Sequence, residues 1–458
     1  MNRRSVFRMP EISVSEPRFL RIDAATVCDA FRTFAPGSLL LELRDSGPPI
    51  SGAIRAHATV IAAGSVARID ARPQSNAARR LSLPRAVLIP GLVNAHTHLD
   101  LSHIGPRPFD AGAGFLGFVT TVRSNRRIEP VEIAQSVRCG VEMSLKSGVV
   151  CVGDIAGAVM ARANAAAFDA LAASETWGVS FVEYFAIGKT EGAAWARAES
   201  VIREAASRGT ARVRAGLQPH ATNTVSPNAY RLSLALAGEL GLPISTHLAE
   251  TPEEREFIAR ATGPQRVLLE AVGVWDESLL ADFGVGRSPV RHFADAIRNP
   301  RSATLVAAHV NDLGEDLGAF AGLGASVAYC PTASEYFGAE GHFGPHRYRD
   351  LIAAGVNVAL GTDSIINLPA SRPGLSVWEE MRRLRARDRV APDVLLRMAT
   401  ANGARALGLE ESLFRFEPGN RLAGVAAVRL PPGAGDAEDN LALALDKGAN
   451  PELVLLGK

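Results

Sequence analysis

Apolar residues along this chain fall into two kinds of run. Between residues 90 and 360, short continuous runs rich in Val, Ala, Ile and Leu alternate with longer stretches whose apolar positions recur every three or four residues. The short runs read as strands at 92–94, 149–152, 179–184, 213–217, 243–246, 303–308, 326–329 and 356–360. Helical patterns intervene at 131–146, 161–174, 193–207, 227–240, 253–260, 315–321 and 347–354. The strand runs are apolar throughout rather than at alternate positions, as strands of a parallel sheet covered on both faces must be. Eight such strands separated by helices predict an α/β fold whose parallel sheet closes as a (β/α)8 barrel of the TIM type.

The two ends of the chain have a different pattern. Runs at 38–43, 58–63 and 86–89, and again at 424–430 and 451–456, are divided by Gly, Pro, Ser and Asp, and read as strands with turns. Neither end can bury an apolar face alone, so the two are expected to pair as one small β-sandwich beside the barrel. The chain then divides into 1–89 (first part of the sandwich), 90–414 (the catalytic barrel) and 415–458 (second part of the sandwich).

Composition narrows the partners. With 49 Lys and Arg against 48 Asp and Glu, the charge balance gives no reason to expect nucleic acid or an anionic membrane; a small molecule is the expected partner. No apolar run approaches the length that spans a bilayer. Cys28, Cys139, Cys151 and Cys330 form no Cys-x-x-Cys pair and are too sparse for a disulfide framework. Arg3-Arg4 echoes a twin-arginine signal, but residues 10–23 carry acids and prolines in place of an apolar core. A cytoplasmic location is expected.

The chemistry stands out when polar residues are set against the strand ends. The first barrel strand runs into His96-Thr97-His98, the fourth into Gln218-Pro219-His220, the fifth into His247 with Glu250 just beyond, the sixth into His309 and the eighth into Gly361-Thr362-Asp363. Five of the ten histidines thus fall where the mouth of a barrel gathers residues remote in sequence. A single histidine would be unremarkable, and His-x-His within a strand points to opposite faces. At a strand terminus the chain can curl, so that both rings reach one ion. Neutral imidazoles and a carboxylate suit one divalent cation, Zn²⁺ or alternatively Fe²⁺. His96, His98, His247 and Asp363 would leave a position for water, which the ion activates to hydroxide near neutral pH. Glu250 is placed to move the proton that a departing amine requires, Asp363 to accept the second one, and His309 and His220 to orient hydroxide and substrate. The competing reading of Glu250 is a helix N-terminal carboxylate ahead of Thr251-Pro252-Glu253-Glu254.

These segments resemble the amidohydrolase superfamily: 90–99 around His96-Thr97-His98, 218–221, 246–250, Ala308-His309, Tyr329-Cys330-Pro331 and 360–364 match its motifs in order. The pattern is most similar to the branch that holds chlorohydrolases and the deaminases of guanine, methylthioadenosine/adenosylhomocysteine and aminodeoxyfutalosine. The resemblance implies that His96, His98, His247 and Asp363 are metal ligands, that Glu250 is the proton shuttle, that His309 orients the nucleophile and that His220 touches substrate; it also implies a homodimer. Binuclear relatives carry a bridging lysine at the fourth strand. Lys146, Lys189, Lys447 and Lys458 all lie elsewhere, which implies a single ion.

The expected reaction is hydrolytic deamination of an aminated heterocycle, purine- or nucleoside-like. The alternatives are hydrolysis of a cyclic amide or halogenated ring, and a catalytically silent barrel serving as an assembly module, which would be expected to have lost its ligands. Loops 332–338 and 365–374 depart from relatives and leave the substrate open. Further substrate-binding candidates are His103, Glu183 and Glu335, with Asp100 on the same loop as His103. Phe109, Phe115 and Phe118 would either cover an aromatic ring or pack as ordinary core. His292, His342 and His346 are expected in solvated loops.

Overall fold

The computed structural model describes residues 18–297, 304–371, 374–435, 437 and 439–458. The Arg3-Arg4 segment, Ala303 at the start of one expected strand, and residues 372–373 of the 365–374 loop lie outside the described residues. Among the described residues there are fifteen strands: β1 Phe19–Cys28, β2 Thr33–Phe34, β3 Gly37–Ile50, β4 Ala53–Ser65, β5 Arg79–Pro90, β6 Leu92–Thr97, β7 Val149–Ala156, β8 Trp177–Tyr184, β9 Val213–Pro219, β10 Ile244–Leu248, β11 Leu305–His309, β12 Ser326–Tyr329, β13 Val358–Leu360, β14 Gly424–Arg429 and β15 Glu452–Gly457.

Strands from the two chain ends share one sheet, in the order β2-β1-β3-β4-β15-β14-β5. β14 pairs antiparallel with β5 through Val425↔Pro90, and β15 pairs parallel with β4 through Leu455↔Ile54. A further parallel pairing of β1 with β5 joins the edges, so the expected two-layer arrangement is realised as a small closed barrel. Alternation places its core: along β4 Ala56, Ala58 and Val60 point inward while the residues between them stay partly exposed. Leu20, Ile22, Leu39, Leu41, Leu88, Val425 and Leu455 complete this interior. β1 was not among the expected strands, because Arg21 and Asp23 interrupt its apolar run. Arg21 is nevertheless buried, paired with Asp23 at 2.7 Å and with Asp70.

β6 to β13 form the second sheet in strict sequence order, and every adjacent pair is parallel. Closure between β13 and β6 comes from a parallel bridge, Thr97↔Asp363. The His96 carbonyl accepts from Thr362 N and Asp363 N at 3.1 and 3.0 Å, and the Asn94 side chain bonds both Thr362 Oγ1 (2.7 Å) and Thr362 N (3.1 Å). At Gly361 the two strands come so close that a Cβ would sit 2.8 Å from Cys330 Sγ and 2.9 Å from His96 Cβ. The expected eight-stranded barrel is therefore present, and it is closed at the seam that carries His96 and Asp363.

Helices cover the outside. The segment Pro227–Leu240 forms where its punctuation dictates: the Ser226 hydroxyl accepts from Ala229 N, proline occupies the first turn, and Gly241 ends the helix at φ 65°. The helix Gly114–Asn125 was not expected; no residue of it is fully buried. His292, expected in a solvated loop, is instead buried on the helix Pro289–Ile297. Its ring lies 4.9 Å from that of Phe283, an apolar setting that holds its pKa down at about 4. No helix among the described residues is long and apolar enough to cross a membrane.

Candidate active site

β6, β8, β9, β10, β11 and β13 each deliver a polar side chain to the barrel mouth, at or just beyond the strand end. β6 stops at Thr97, and His98 follows it with φ −114° and ψ 86°, ahead of a short turn at Leu99–Leu101. That departure from strand geometry lets His96 and His98 face the same way. Their ring centroids are 5.3 Å apart, and the His96 ring lies 5.0 Å from His247 and 5.4 Å from His309. Asp363 Oδ1 is 3.3 Å from His98 Nε2 and 3.5 Å from His96 Nε2. The ring of His220 stands 5.0 Å from that of His247. The five histidines singled out in the sequence and Asp363 are thus brought together.

The donor set fits a divalent cation. Potential ligand atoms of His96, His98 and Asp363 lie within 4.8 Å of one another, as do those of His96, His247 and His309. Both nitrogens of His96 and of His309, and Nδ1 of His98, are buried without a hydrogen-bond partner among the described residues. Each orphaned polar atom costs roughly 1–3 kcal/mol, a cost that coordination offsets wherever it takes up a lone pair. Burial keeps the rings neutral: it lowers His98 to about 4 and His309 to about 3, and it holds His247 far below its usual value, so lone pairs are on offer. His247 Nδ1 donates to the His220 carbonyl at 2.8 Å, which leaves Nε2 as the free donor atom.

Glu250 is released from the helix that follows it. In Pro252–Arg260 the Thr251 hydroxyl accepts from Glu254 N. Glu254 turns back to accept from Ala249 N at 3.0 Å and Glu250 N at 2.7 Å, a variant of the capping box. The helix N-terminus is therefore satisfied without the Glu250 carboxyl, which lies 3.5 Å from His309 Nε2. The two carboxyls nearest the histidines are driven apart. Burial, reinforced by Asp363, Glu254 and Glu253, raises Glu250 well above the usual carboxylic range. Burial also pushes Asp363 upward, but the rings of His96, His309 and His98 that face it outweigh that and hold Asp363 below the usual range. The two environments thus push the carboxyls in opposite directions, as separate acid and base roles require.

Glu183 closes the opposite side. Its Oε2 accepts from Ala158 N at 2.8 Å and faces Arg126 Nη1 at 3.5 Å; its Oε1 is 4.0 Å from His220 Nε2. Burial works against its charge, yet His220, Arg126 and His98 together hold its pKa below the usual value. Arg126 also donates to the Ala158 carbonyl (3.0 Å) and lies 3.6 Å from Asp100. A Cβ on Gly157 would fall 2.0 Å from that guanidinium. Sequence reasoning missed Arg126, and it missed Asn367, whose Nδ2 donates to Asp363 Oδ2 at 2.6 Å.

Two expected substrate contacts are engaged elsewhere. His103 bonds Ser136 Oγ through Nδ1 (2.8 Å) and the Asn125 carbonyl through Nε2 (2.9 Å), so both ring nitrogens serve the loop after β6. Glu335, on the helix Pro331–Tyr336, is paired with Arg383. Phe109, Phe115 and Phe118 pack with Tyr336 and Phe337, with Phe109–Tyr336 at 5.2 Å and Phe118–Phe337 at 5.0 Å. These contacts tie the segment after β6 to the segment after β12. His342 is exposed but lies on the short helix Ala339–Phe343 instead of in a loop, and His346 is half-buried and bonded to the His309 carbonyl.

Comparison with known proteins gives a consistent picture. The amidohydrolase family's sequence profile matches residues 87–424. The aminodeoxyfutalosine deaminase of Deinococcus radiodurans is 30% identical over 342 residues, which cover 70% of this chain and 74% of that protein. The crystal structure of Helicobacter pylori aminofutalosine deaminase superposes with a TM-score of 0.72 at 18% identity, covering 95% of this chain and 98% of its own. An adenosine deaminase from Xanthomonas campestris with bound zinc superposes with a TM-score of 0.65 at 21% identity, covering 95% and 93%. At such identities the two superpositions show the fold.

Proposed function

Since the chain belongs to the amidohydrolase family, we propose that it is a metal-dependent hydrolase that removes an amino group from a purine-nucleoside-like substrate. The observation that carries this reading is the convergence of His96, His98, His247, His309 and Asp363 on one set of donor atoms at the barrel mouth, with the Glu250 carboxyl 3.5 Å from His309 Nε2. Hydrolytic loss of an amine needs one group to give a proton to nitrogen and another to take one from water.

His96, His98, His247 and Asp363 hold one divalent ion, Zn²⁺ or Fe²⁺. When bound, such an ion supplies Lewis acidity that brings the ionisation of water from 15.7 towards roughly 7. The Glu250 carboxylate takes one proton from the attacking water as its oxygen bonds to the ring carbon, and passes that proton to the ring nitrogen. Asp363 Oδ1, facing the ring nitrogens of His96 and His98, accepts the second proton from the new hydroxyl and hands it to the amine, which leaves as ammonia when the carbon–nitrogen bond breaks. His309 Nε2, 3.5 Å from Glu250 Oε1, orients the water, while His220 and Glu183 on the far wall hold the substrate. The zinc in the Xanthomonas enzyme, and the adenosine, aminofutalosine and aminodeoxyfutalosine in these proteins' names, support this assignment.

The test is ammonia release from a panel of aminopurine nucleosides, with metal content measured on the same protein. The wild type should release ammonia and retain about one ion per chain. E250Q should keep the ion and lose at least about 10²-fold in kcat, the lower range for a positioned proton donor. Chloride from a halogenated ring, or an open-chain acid without ammonia, would replace deamination with the alternative hydrolysis. A folded protein that takes up no metal would sink the enzymatic reading altogether.

A further inference from the structure

The backbone at the end of β11 is unusual. His309 has φ 71° and Val310 φ 54°, so two successive non-glycine residues occupy the left-handed region, where a β-branched side chain is a genuine outlier. Val310 N donates to the Leu248 carbonyl at 2.9 Å and also to the Ala308 carbonyl at 3.1 Å. The second bond skips a single residue and defines a γ-turn centred on His309, in the positive-φ form that is rare and strained. Strain of this kind persists only where surrounding contacts hold it, and it concentrates at functional sites.

The γ-turn turns the His309 carbonyl away from the sheet. β11 pairs with β12 only as far as Ala308↔Ala328, so no strand offers that carbonyl a ladder bond. Its donor is a side chain 37 residues further on: His346 Nε2, at 2.8 Å. His346 lies between the helices Ala339–Phe343 and Tyr348–Ala353. Its ring stacks on Tyr329 at 3.8 Å and 15°, and the Tyr329 hydroxyl accepts from Arg387 at 3.1 Å. Burial holds the His346 pKa down at about 4. The ring therefore carries one proton, and the contact with a carbonyl assigns it to Nε2.

We propose that His346 is a positioning residue that replaces the missing ladder bond, locks the γ-turn at His309 and so keeps the His309 ring against Glu250. The proposal rests on the reading of His309 as a mouth residue but concerns a contact outside the motifs that define the family. It distinguishes a donor at one atomic position from mere filling of space. In Gln the amide nitrogen reaches the place of Nε2; in Asn it ends at the place of Nδ1; Phe keeps the stack and has no donor.

The experiment compares crystal structures and steady-state kinetics of wild type, H346Q, H346N and H346F. In H346N and H346F, His309 should leave the left-handed region or its ring should withdraw from Glu250. For the nucleoside that the wild type deaminates, kcat should fall tenfold or more while KM stays within about twofold. H346Q should keep the wild-type backbone and most of kcat. The proposal is overturned if His309 stays in place and kcat is unchanged in H346N and H346F, or if H346Q is as impaired as H346N. Should H346F fail to fold, the Gln and Asn variants alone decide. Should the wild type release no ammonia, the deaminase reading fails, while the His309 backbone in the crystals still decides this proposal.

Discussion

Glu380 offers the sharpest test of the electrostatics that support the mouth. It lies on the helix Val377–Asp388 and is 1% exposed, with its carboxylate accepting from Thr332 N at 3.0 Å and Thr332 Oγ1 at 2.6 Å. These bonds fix the segment after β12 that carries Tyr336 and Phe337. Burial pushes the Glu380 pKa from 4.5 up to about 7, against the Thr332 bonds and Arg383, which favour the ionised form. That displacement corresponds to about 3 kcal/mol. The sign follows from proton binding. Between these two values the folded chain keeps a proton that the unfolded chain has released, so stability falls as pH rises and levels off above about 8. In E380Q the amide oxygen can accept from Thr332 N and the amide nitrogen can donate to Thr332 Oγ1, and neither titrates. Urea unfolding followed by tryptophan fluorescence, with Trp378 buried on the same helix, measures the difference between the two proteins. The variant should gain about 3 kcal/mol relative to wild type between about pH 4.5 and pH 8, with all other titrations cancelling. A difference constant to within about 0.5 kcal/mol over that range would refute the reasoning.

Removing Arg126 leaves Asp100 and Glu183 buried without their shared counter-charge, so R126M should lose about 3–5 kcal/mol, as broken buried pairs do. Adding D100N to R126M should recover part of that loss, and simple additivity of the two changes in a denaturation cycle would contradict the coupling. At the seam, N367A removes the 2.6 Å bond to Asp363 Oδ2. Metal affinity, read by competition with a chromogenic chelator, should fall about tenfold, as for other outer contacts of ligating carboxylates. An unchanged affinity would show that the closed seam alone holds Asp363.

What could be read from the sequence and what could not have separate physical causes. The barrel strands are buried on both faces, so continuous apolar runs locate all eight, and Ser226, Pro227 and Gly241 bound a helix by chemistry that needs no tertiary contact. β1 escaped because Arg21 and Asp23 stand inside it; only the fold brings the half-exposed Asp70, at the end of the short helix Val66–Asp70, against the buried arginine. The helix Gly114–Asn125 has two glycines and several β-branched residues, a composition with poor intrinsic helicity, and its side chains are set by aromatic contacts with Tyr336 and Phe337 from distant sequence. In the candidate site, histidines at strand ends are conspicuous because the chain has only ten. Arg126 is one of many arginines and lies beyond a helix end, so no local signal distinguishes it.

The backbone at the mouth sets a deeper limit on such reading. Ala249, His309, Val310 and Asp363 all have positive φ, and each follows or ends a barrel strand. A rule based on local preference would place glycine there, since glycine alone takes this conformation without steric cost. Glycine at 309 or 363 would remove the very groups that meet His96 and Glu250. The chain therefore keeps the functional side chain and accepts the strain, and the surrounding bonds hold it: Asp363 N to the His96 carbonyl, Val310 N to Leu248, and His346 to the His309 carbonyl. The first of these joins the two strands that meet only when the barrel closes, the second joins consecutive strands, and the third comes from a loop beyond the next strand. Local sequence can name the residues at such a site, but the conformation that makes them converge is imposed by contacts with segments outside it.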